Sequence, residues 1–472
     1  MSEGIFHRVW LVGFAGHRRV ADPARAKAVI RQELDALAAA VNGEVMGVSS
    51  AAAGADLLFL EACAEGGYQT LVILPFPKSR FAEDFEDPAE WARSRSLMDA
   101  ALWCEVAPGD EEPPAAYHLV SREILEVSDR MLFLWDGLSP RGIGGTGETV
   151  AEAAEWKIPS RLIHAGTFET TWQNGSEPSD EADPGFADLP AAATVPALFE
   201  KLDKRAVATA PKSRWFSAGS MSVNHIATFV QAALIALVLD QAKEKGALVK
   251  FCMALIAACL PWVGARLRLQ QRWVSDRVRA ELLRSVLASH EPESPLRPPA
   301  LDLFERDEAL LRSASLLLVK NRQGWEKARD AYVTERLDGQ IAYLGDKGAL
   351  AKNRMAIFGR VFWLASWGAL ATAGIAIFSK FSGLDLDRPW TLWCLVFLPM
   401  VLPGVAAWSL AIVSVFEFKR RAGLYTQLVG ELERLRPKLL AAKCSSAAAA
   451  SIRQSERLLL NELWEWQGPR RK

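Results

Sequence analysis

The chain has 472 residues, half of them hydrophobic, and its 55 Lys and Arg against 56 Asp and Glu leave a formal net charge of -1. That length admits two or three domains, and the balanced charge excludes a whole-chain polycation with nucleic acid as its main partner. Six cysteines, Cys63, Cys104, Cys252, Cys259, Cys394 and Cys444, show no CxxC spacing, which excludes a disulfide framework and a zinc site and suits a reducing cytoplasm for the soluble part. The first apolar stretch, Val9 to Phe14, is too short for a signal peptide.

From Arg8 to Ala165 strand and helix alternate. Val9 to Phe14 reads as a buried strand and Ala24 to Val41 as an amphipathic helix with Val29, Ile30, Leu34, Leu37 and Ala38 on one side. Val45 to Val48 is a second strand, and a helix opening at Gly54 runs to a Gly66-Gly67 stop. Thr70 to Leu74 is a strand, Tyr117 to Val127 a helix, Arg130 to Trp135 a strand, Thr149 to Trp156 a helix and Ser160 to His164 a last strand. Strands separated by helices need crossover connections, so a Rossmann-like α/β domain with a mostly parallel sheet is expected over residues 1–170.

Residues 171–214 form an acidic, Pro-containing linker with a short helix around Ala197 to Arg205 and a basic stretch, Lys212 and Arg214. A first apolar hairpin is expected over 215–265, as Met221 to Leu239 and Ala247 to Val263 with its tip at Asp240 to Gly246. Asn224, His225 and Gln231 dilute one span while Lys250 and Pro261 shorten the other, so a buried soluble hairpin is the competing reading. The second hairpin, 356–418, is stronger: neither Val361 to Phe378 nor Trp390 to Phe416 contains a charge. Each meets the roughly 18 to 20 apolar residues needed to cross a hydrocarbon core of about 30 Å. Basic flanks, Lys347, Lys352, Arg354 and Arg360 before it and Lys419, Arg420 and Arg421 after it, place both outer ends in the cytoplasm. The expectation is an all-α membrane domain with four transmembrane helices, both termini cytoplasmic, and cytoplasmic helical regions at 266–355 and 419–472. Apolar stripes there, Val274, Val278 and Leu282, then Val333, Leu337 and Ile341, then Leu428, Leu432, Leu435 and Leu439, want partners within the chain or in another subunit, and Pro437 should kink the last.

Three loops fall at the carboxyl ends of the expected strands, where open parallel sheets bind ligands. The first runs from Gly13 through Gly16, His17 and Arg18, a glycine turn with two cationic side chains suited to a phosphate. The second, from Ser49 through Gly54 to Asp56, offers a carboxylate that accepts from sugar hydroxyls or caps the following helix. The third, Gly142-Ile143-Gly144-Gly145-Thr146-Gly147-Glu148-Thr149, puts many N–H groups at a helix N-terminus, whose partial positive charge attracts anions. Glu148 beside such a cradle suits ribose hydroxyls or a general base.

These motifs in this order, Gly16-His17-Arg18, Ala53-Gly54-Ala55-Asp56, Leu74-Pro75-Phe76-Pro77, Ser121-Arg122-Glu123 and Gly144 to Thr149, resemble the SLOG superfamily of Rossmann-like domains. The resemblance implies binding of nucleotides or their derivatives. Phosphoribohydrolases of that superfamily pair an arginine with a glutamate on the glycine loop. Here Arg122 matches, but Glu123 replaces the expected lysine, Glu148 replaces a threonine, Ala151 stands at the glutamate position and Glu152 comes one residue late, about 100° around the helix. The departure favours binding over hydrolysis. The helical remainder is similar to SLATT membrane domains through its paired spans and Arg272-Trp273 to Ser285. That likeness implies a pore-forming or membrane-disrupting effector of a bacterial conflict response, in the plasma membrane, switched by a nucleotide-derived ligand. Expected partners are the lipid bilayer, that ligand and further copies of the chain, with no other cofactor, no metal and no nucleic acid. The alternative is a membrane-tethered nucleoside-phosphate hydrolase using Arg122 with Glu148 or Glu152.

Overall fold

The computed structural model describes residues 6–109, 112–140, 142–175, 186, 188–236, 243–266, 269–291, 293–299, 301–319, 322, 324–382, 391 and 393–466. Part of the acidic linker (176–185), the end of the first expected span with part of its tip (237–242) and most of the second tip (383–390) lie outside them. The chain divides into two compact units, Met1–Leu198 with Ser285–Gly324, and Phe199–Arg284 with Trp325–Lys472.

The first unit is a seven-stranded sheet: β1 (Val9–Gly16), β2 (Glu44–Ser49), β3 (Gln69–Leu74), β4 (Trp103–Val106), β5 (Arg130–Trp135), β6 (Ser160–His164) and β7 (Thr170–Gln173), in the order β4-β3-β2-β1-β5-β6-β7. All neighbours are parallel except β6 and β7. Side chains alternate along β1, so Val12 and Phe14 join one core layer and Val9 and Leu11 the other. The first layer is closed by α1 (Pro23–Ala40) and α2 (Ala55–Gly66) through Ile30, Leu34 and Phe59. Asp22 caps α1 by accepting from the Arg25 N–H at 3.0 Å, and α2 stops at Gly67 in the left-handed region, as the paired glycines predict.

Among the elements not expected are α3 (Pro88–Ala100) and β4. Only Ser94 and Met98 of α3 are buried, too few to print a helical period, and β4 is a short edge strand. The antiparallel β7 is another addition. The second core layer contains α4 (Ala115–Val127) and, unexpectedly, residues from 285–324, a stretch the sequence assigns to the membrane domain's cytoplasmic region. Leu296 and Leu316 are fully buried in the same cluster as Leu11 and Phe133. Ser313, on α9 (Glu308–Leu318), accepts from the Val9 N–H at 2.9 Å, Arg312 donates to the Val127 carbonyl at 2.7 Å, and Arg297 pairs with Glu123. Glu123 therefore holds this segment.

The second unit is all helical. The expected short helix at Ala197 to Arg205 is instead the start of one helix, α6 (Val195–Ala236), and the basic stretch Lys212 to Arg214 lies inside it. It is followed by α7 (Lys243–Arg266) and α8 (Leu269–Ser289). The segment Trp325–Ala331 passes through a π-helical turn, Tyr332–Leu337, into α10 (Asp338–Phe381). Another π turn, Trp393–Phe397, leads into α11 (Leu398–Val415), then α12 (Phe418–Leu440) and α13 (Ser445–Trp466). Two helical segments, Trp325–Ser379 and Trp393–Leu440, are long and apolar enough to cross a membrane, with mean hydropathy 1.7 and 2.1 in their most apolar windows. Among the described residues, the first pair of helices offers the shorter apolar segment Ala247–Leu260.

The apolar stripes find partners inside the chain. Leu428, Leu432, Leu435 and Leu439 are buried where α12 packs along α10 and α13, and Pro437 sits within the last turn of α12. At their base, Arg336 donates two parallel hydrogen bonds to Glu456, at 2.9 and 2.8 Å, and the Tyr332 hydroxyl donates to the same carboxylate at 2.9 Å. Glu456 is fully buried and the Arg336 side chain is 6% exposed.

Candidate functional site

Chain order along the sheet reverses at β1, flanked by β2 on one side and β5 on the other, and such a switch point opens a crevice beyond the carboxyl ends of the strands. A cleft of about 380 Å³ lies there. That size falls within the roughly 300–1,000 Å³ of small-molecule sites. All three expected loops reach it: Gly16, His17 and Arg18, then Asp56, then Gly144 through Gly147 with Thr149. Trp135, Asp136 and Tyr117 also line it, which the loop motifs did not indicate. The first ends β5 and the second directly follows it, the position that the switch-point rule marks.

The cleft is shaped by close backbone approaches. Gly54 adopts φ +90, and a Cβ there would lie 2.1 Å from the Arg18 carbonyl oxygen, so this glycine welds the first loop to the second and does not face a ligand. The Ala55 N–H donates to the His17 carbonyl at 3.1 Å across the same seam. His17 bridges to the end of β5, its Nε2 lying 3.0 Å from the Asp136 amide nitrogen. The Arg18 guanidinium is exposed and stands 5.1 Å from the Tyr117 ring centroid, with no carboxylate partner among the described residues. The Tyr117 hydroxyl donates to Asp84 at 2.6 Å, which steadies that ring.

Asp56 is not a helix cap: Gly54 holds the cap position, and the Asp56 carboxylate instead accepts from the Ser50 hydroxyl at 2.5 Å. Burial pushes its carboxyl up to about 6, against hydrogen bonds from Ser50, Ser49 and the Ala52 backbone that favour the charged form. A folded-state value above the ordinary 3.8 means that the native chain binds more protons between those two pH values, so stability falls as pH rises from about 4 to about 6 and is flat above. Asp56→Asn is expected to remove that slope, on the order of 2–3 kcal/mol, in unfolding measured from pH 4.5 to 7.5. An unchanged slope would exclude Asp56 as its source.

The glycine loop ends on α5 (Thr146–Glu155), with Gly145 at the cap position. Glu148 does not face the cleft. Its carboxylate turns back to accept from the Gly144 N–H at 2.5 Å, a variant of the capping box, and lies 3.3 Å from His118 Nδ1. Glu152 sits 3.6 Å from the other nitrogen of His118. Gly144 has φ +78 and its Cβ would meet the Pro114 carbonyl at 2.9 Å, so it is needed for the turn itself. Gly145 has open space around it apart from the Gly142 carbonyl at 3.6 Å.

Several expected site residues are placed elsewhere. Gly13 lies within β1, where a Cβ would strike Met131 and Ser128 at 2.3 Å, and Ser49 is fully buried at the end of β2. Neighbouring Ser121 lines the cleft, but Arg122, one residue and about 100° further around α4, stands 5.2 Å from the Trp156 ring centroid instead. Arg122, Glu148 and Glu152 are thus outside the cleft lining, and the two acids converge on His118, a residue the sequence motifs passed over. Among the described residues no group of three His, Cys, Asp or Glu is arranged to hold a metal ion.

Comparison with known protein families finds no match to this chain, and comparison with curated proteins finds none either.

Proposed function

We propose that the protein is a membrane-embedded sensor and effector: the α/β unit binds a nucleotide-derived anion in the switch-point cleft, and the helices answer by opening or perturbing the membrane. The supporting observation is the content of the cleft. It pairs one exposed guanidinium, Arg18, with the N-terminus of α5 and with an acid, Asp56, that burial keeps largely protonated at mildly acidic pH. Aromatic walls at Tyr117 and Trp135 suit a base or sugar edge. For the helices, support comes from exposure: only 6% of the apolar window in Trp325–Ser379 and 22% of that in Trp393–Leu440 is buried, whereas a soluble core helix would hide its window. Leu364, Trp367, Leu370 and Phe378 are each more than half exposed, an apolar surface that a bilayer would cover.

On this reading α6 and α7 complete a four-helix crossing with both termini in the cytoplasm of a bacterial cell, and copies assemble in the plane of the membrane. The resemblance to SLOG and SLATT domains is the ground for placing it in a conflict response. A ligand drives such a switch only by binding one conformation more tightly than the other.

Titration calorimetry of the purified full chain against a panel of nucleotides tests the sensor. Arg18→Ala is expected to weaken the ligand it identifies by roughly 10- to 100-fold, the worth of a charge-assisted hydrogen bond to phosphate, and Arg122→Ala to change it less than about twofold. The reverse order, or release of free base from nucleoside monophosphates, would favour the hydrolase reading. Dye leakage from liposomes carrying the chain, with and without that ligand, tests the effector.

A further inference from the structure

A second cavity, of about 360 Å³, lies wholly within the helical unit, among α6, α8, α10 and α12. On α10, Tyr343, Lys347 and Arg354 recur at four- and seven-residue intervals and so share one face. On α12, Phe418, Arg421 and Tyr425 do the same at three and four. Among the described residues no carboxylate lines the cavity. Arg277, from α8, already has Asp203 at 3.2 Å and Glu281 at 2.5 Å. Lys347, Arg354 and Arg421 have no carboxylate partner among the described residues, and the first two lie over aromatic rings, Tyr343 at 5.3 Å and Phe418 at 5.9 Å. Three uncompensated cations around one pocket repel one another until an anion enters.

The depth of the pocket indicates which anion. Arg354 precedes the uncharged run that opens at Val361 by seven residues, about 10 Å of helix, and Arg421 follows Phe416, the end of the other uncharged run, by five. Phe418, two residues beyond Phe416, and the Arg354 guanidinium 5.9 Å from its ring stand at the level of the polar zones, which add several ångströms on each side of the apolar core. We propose that this cavity binds the phosphodiester headgroup of an anionic phospholipid at its membrane-proximal end, with Arg354 and Arg421 on the phosphate and Phe418 against the glycerol. The assignment rests on α10 and α11 being membrane-embedded. It is distinct from the cleft of the α/β unit and makes the helical unit sensitive to lipid composition.

The test uses the full chain. Membranes are first washed with carbonate, and the chain is then purified in mild detergent and titrated with phosphatidylglycerol, phosphatidylcholine or inorganic phosphate, with bound lipid read by native mass spectrometry and stability by thermal unfolding. Phosphatidylglycerol is expected to bind at least tenfold more tightly than phosphatidylcholine. The double variant Arg354→Gln/Arg421→Gln should lose that preference, while Lys352→Gln/Arg420→Gln, which removes two basic residues outside the cavity, should keep it; circular dichroism confirms that both remain helical. Equal affinity for the two lipids, equal loss in both variants, or protection by inorganic phosphate alone would overturn the lipid site while the chain stays in carbonate-washed membranes. Release of the chain by carbonate would instead overturn the membrane reading, and the lipid site with it.

Discussion

Glu456→Ala is expected to destabilise the helical unit by about 3–5 kcal/mol, the cost of leaving a buried charge without its partner. Arg336 reaches Glu456 across 120 residues through two hydrogen bonds, and Tyr332 adds a third on the same carboxylate. Burial works against the Arg336 charge, but Glu456 more than offsets it and holds the guanidinium protonated; burial also pushes the Tyr332 hydroxyl up. Removing the acid reverses that balance, and the π turn at the base of α10 loses its tie to α13. The double variant Glu456→Ala/Arg336→Met should recover much of the loss, because an apolar side chain replaces the stranded charge. Thermal unfolding and protease resistance of the full chain in detergent check both. A single variant as stable as the parent would mean that the pair contributes nothing net.

Gly54→Ala should have the next largest effect, about 2–5 kcal/mol on the α/β unit together with loss of ligand binding in the cleft. The residue sits at φ +90 and ψ -122, where side-chain-bearing residues are strained, and its new Cβ would lie 2.1 Å from the Arg18 carbonyl. Relief requires the first loop to move, and Arg18 moves with it. Gly145→Ala is the matched control. With φ -93 and no atom nearer its Cβ than 3.6 Å, it is expected to cost less than about 1 kcal/mol. Denaturant unfolding of the two variants side by side distinguishes a packing glycine from a permissive one. Similar losses in both would place the constraint in the glycine loop instead.

Much of the α/β unit was legible because its information is local. The apolar runs of β1, β5 and β6 print their period directly, and the glycine that ends β1 and those before α5 mark the turns that a parallel sheet needs at its binding edge. The uncharged runs Val361 to Phe378 and Trp390 to Phe416 are likewise read residue by residue. α3 was silent because it buries only Ser94 and Met98, so its helical period hardly shows in the apolar pattern.

What the chain by itself determined, then, is where strands, turns and apolar helices occur, since backbone preference and hydrophobic period depend on near neighbours. Only the tertiary structure decided that Glu148 closes on the Gly144 N–H, that Arg122 leans on Trp156 outside the cleft, and that residues 285–324 complete the core of the α/β unit. The same holds for Arg336 and Glu456, which nothing in their local sequence joins. Side chains of one chemistry are interchangeable until packing selects, from all the carboxylates and guanidinium groups present, the pair that can be desolvated together.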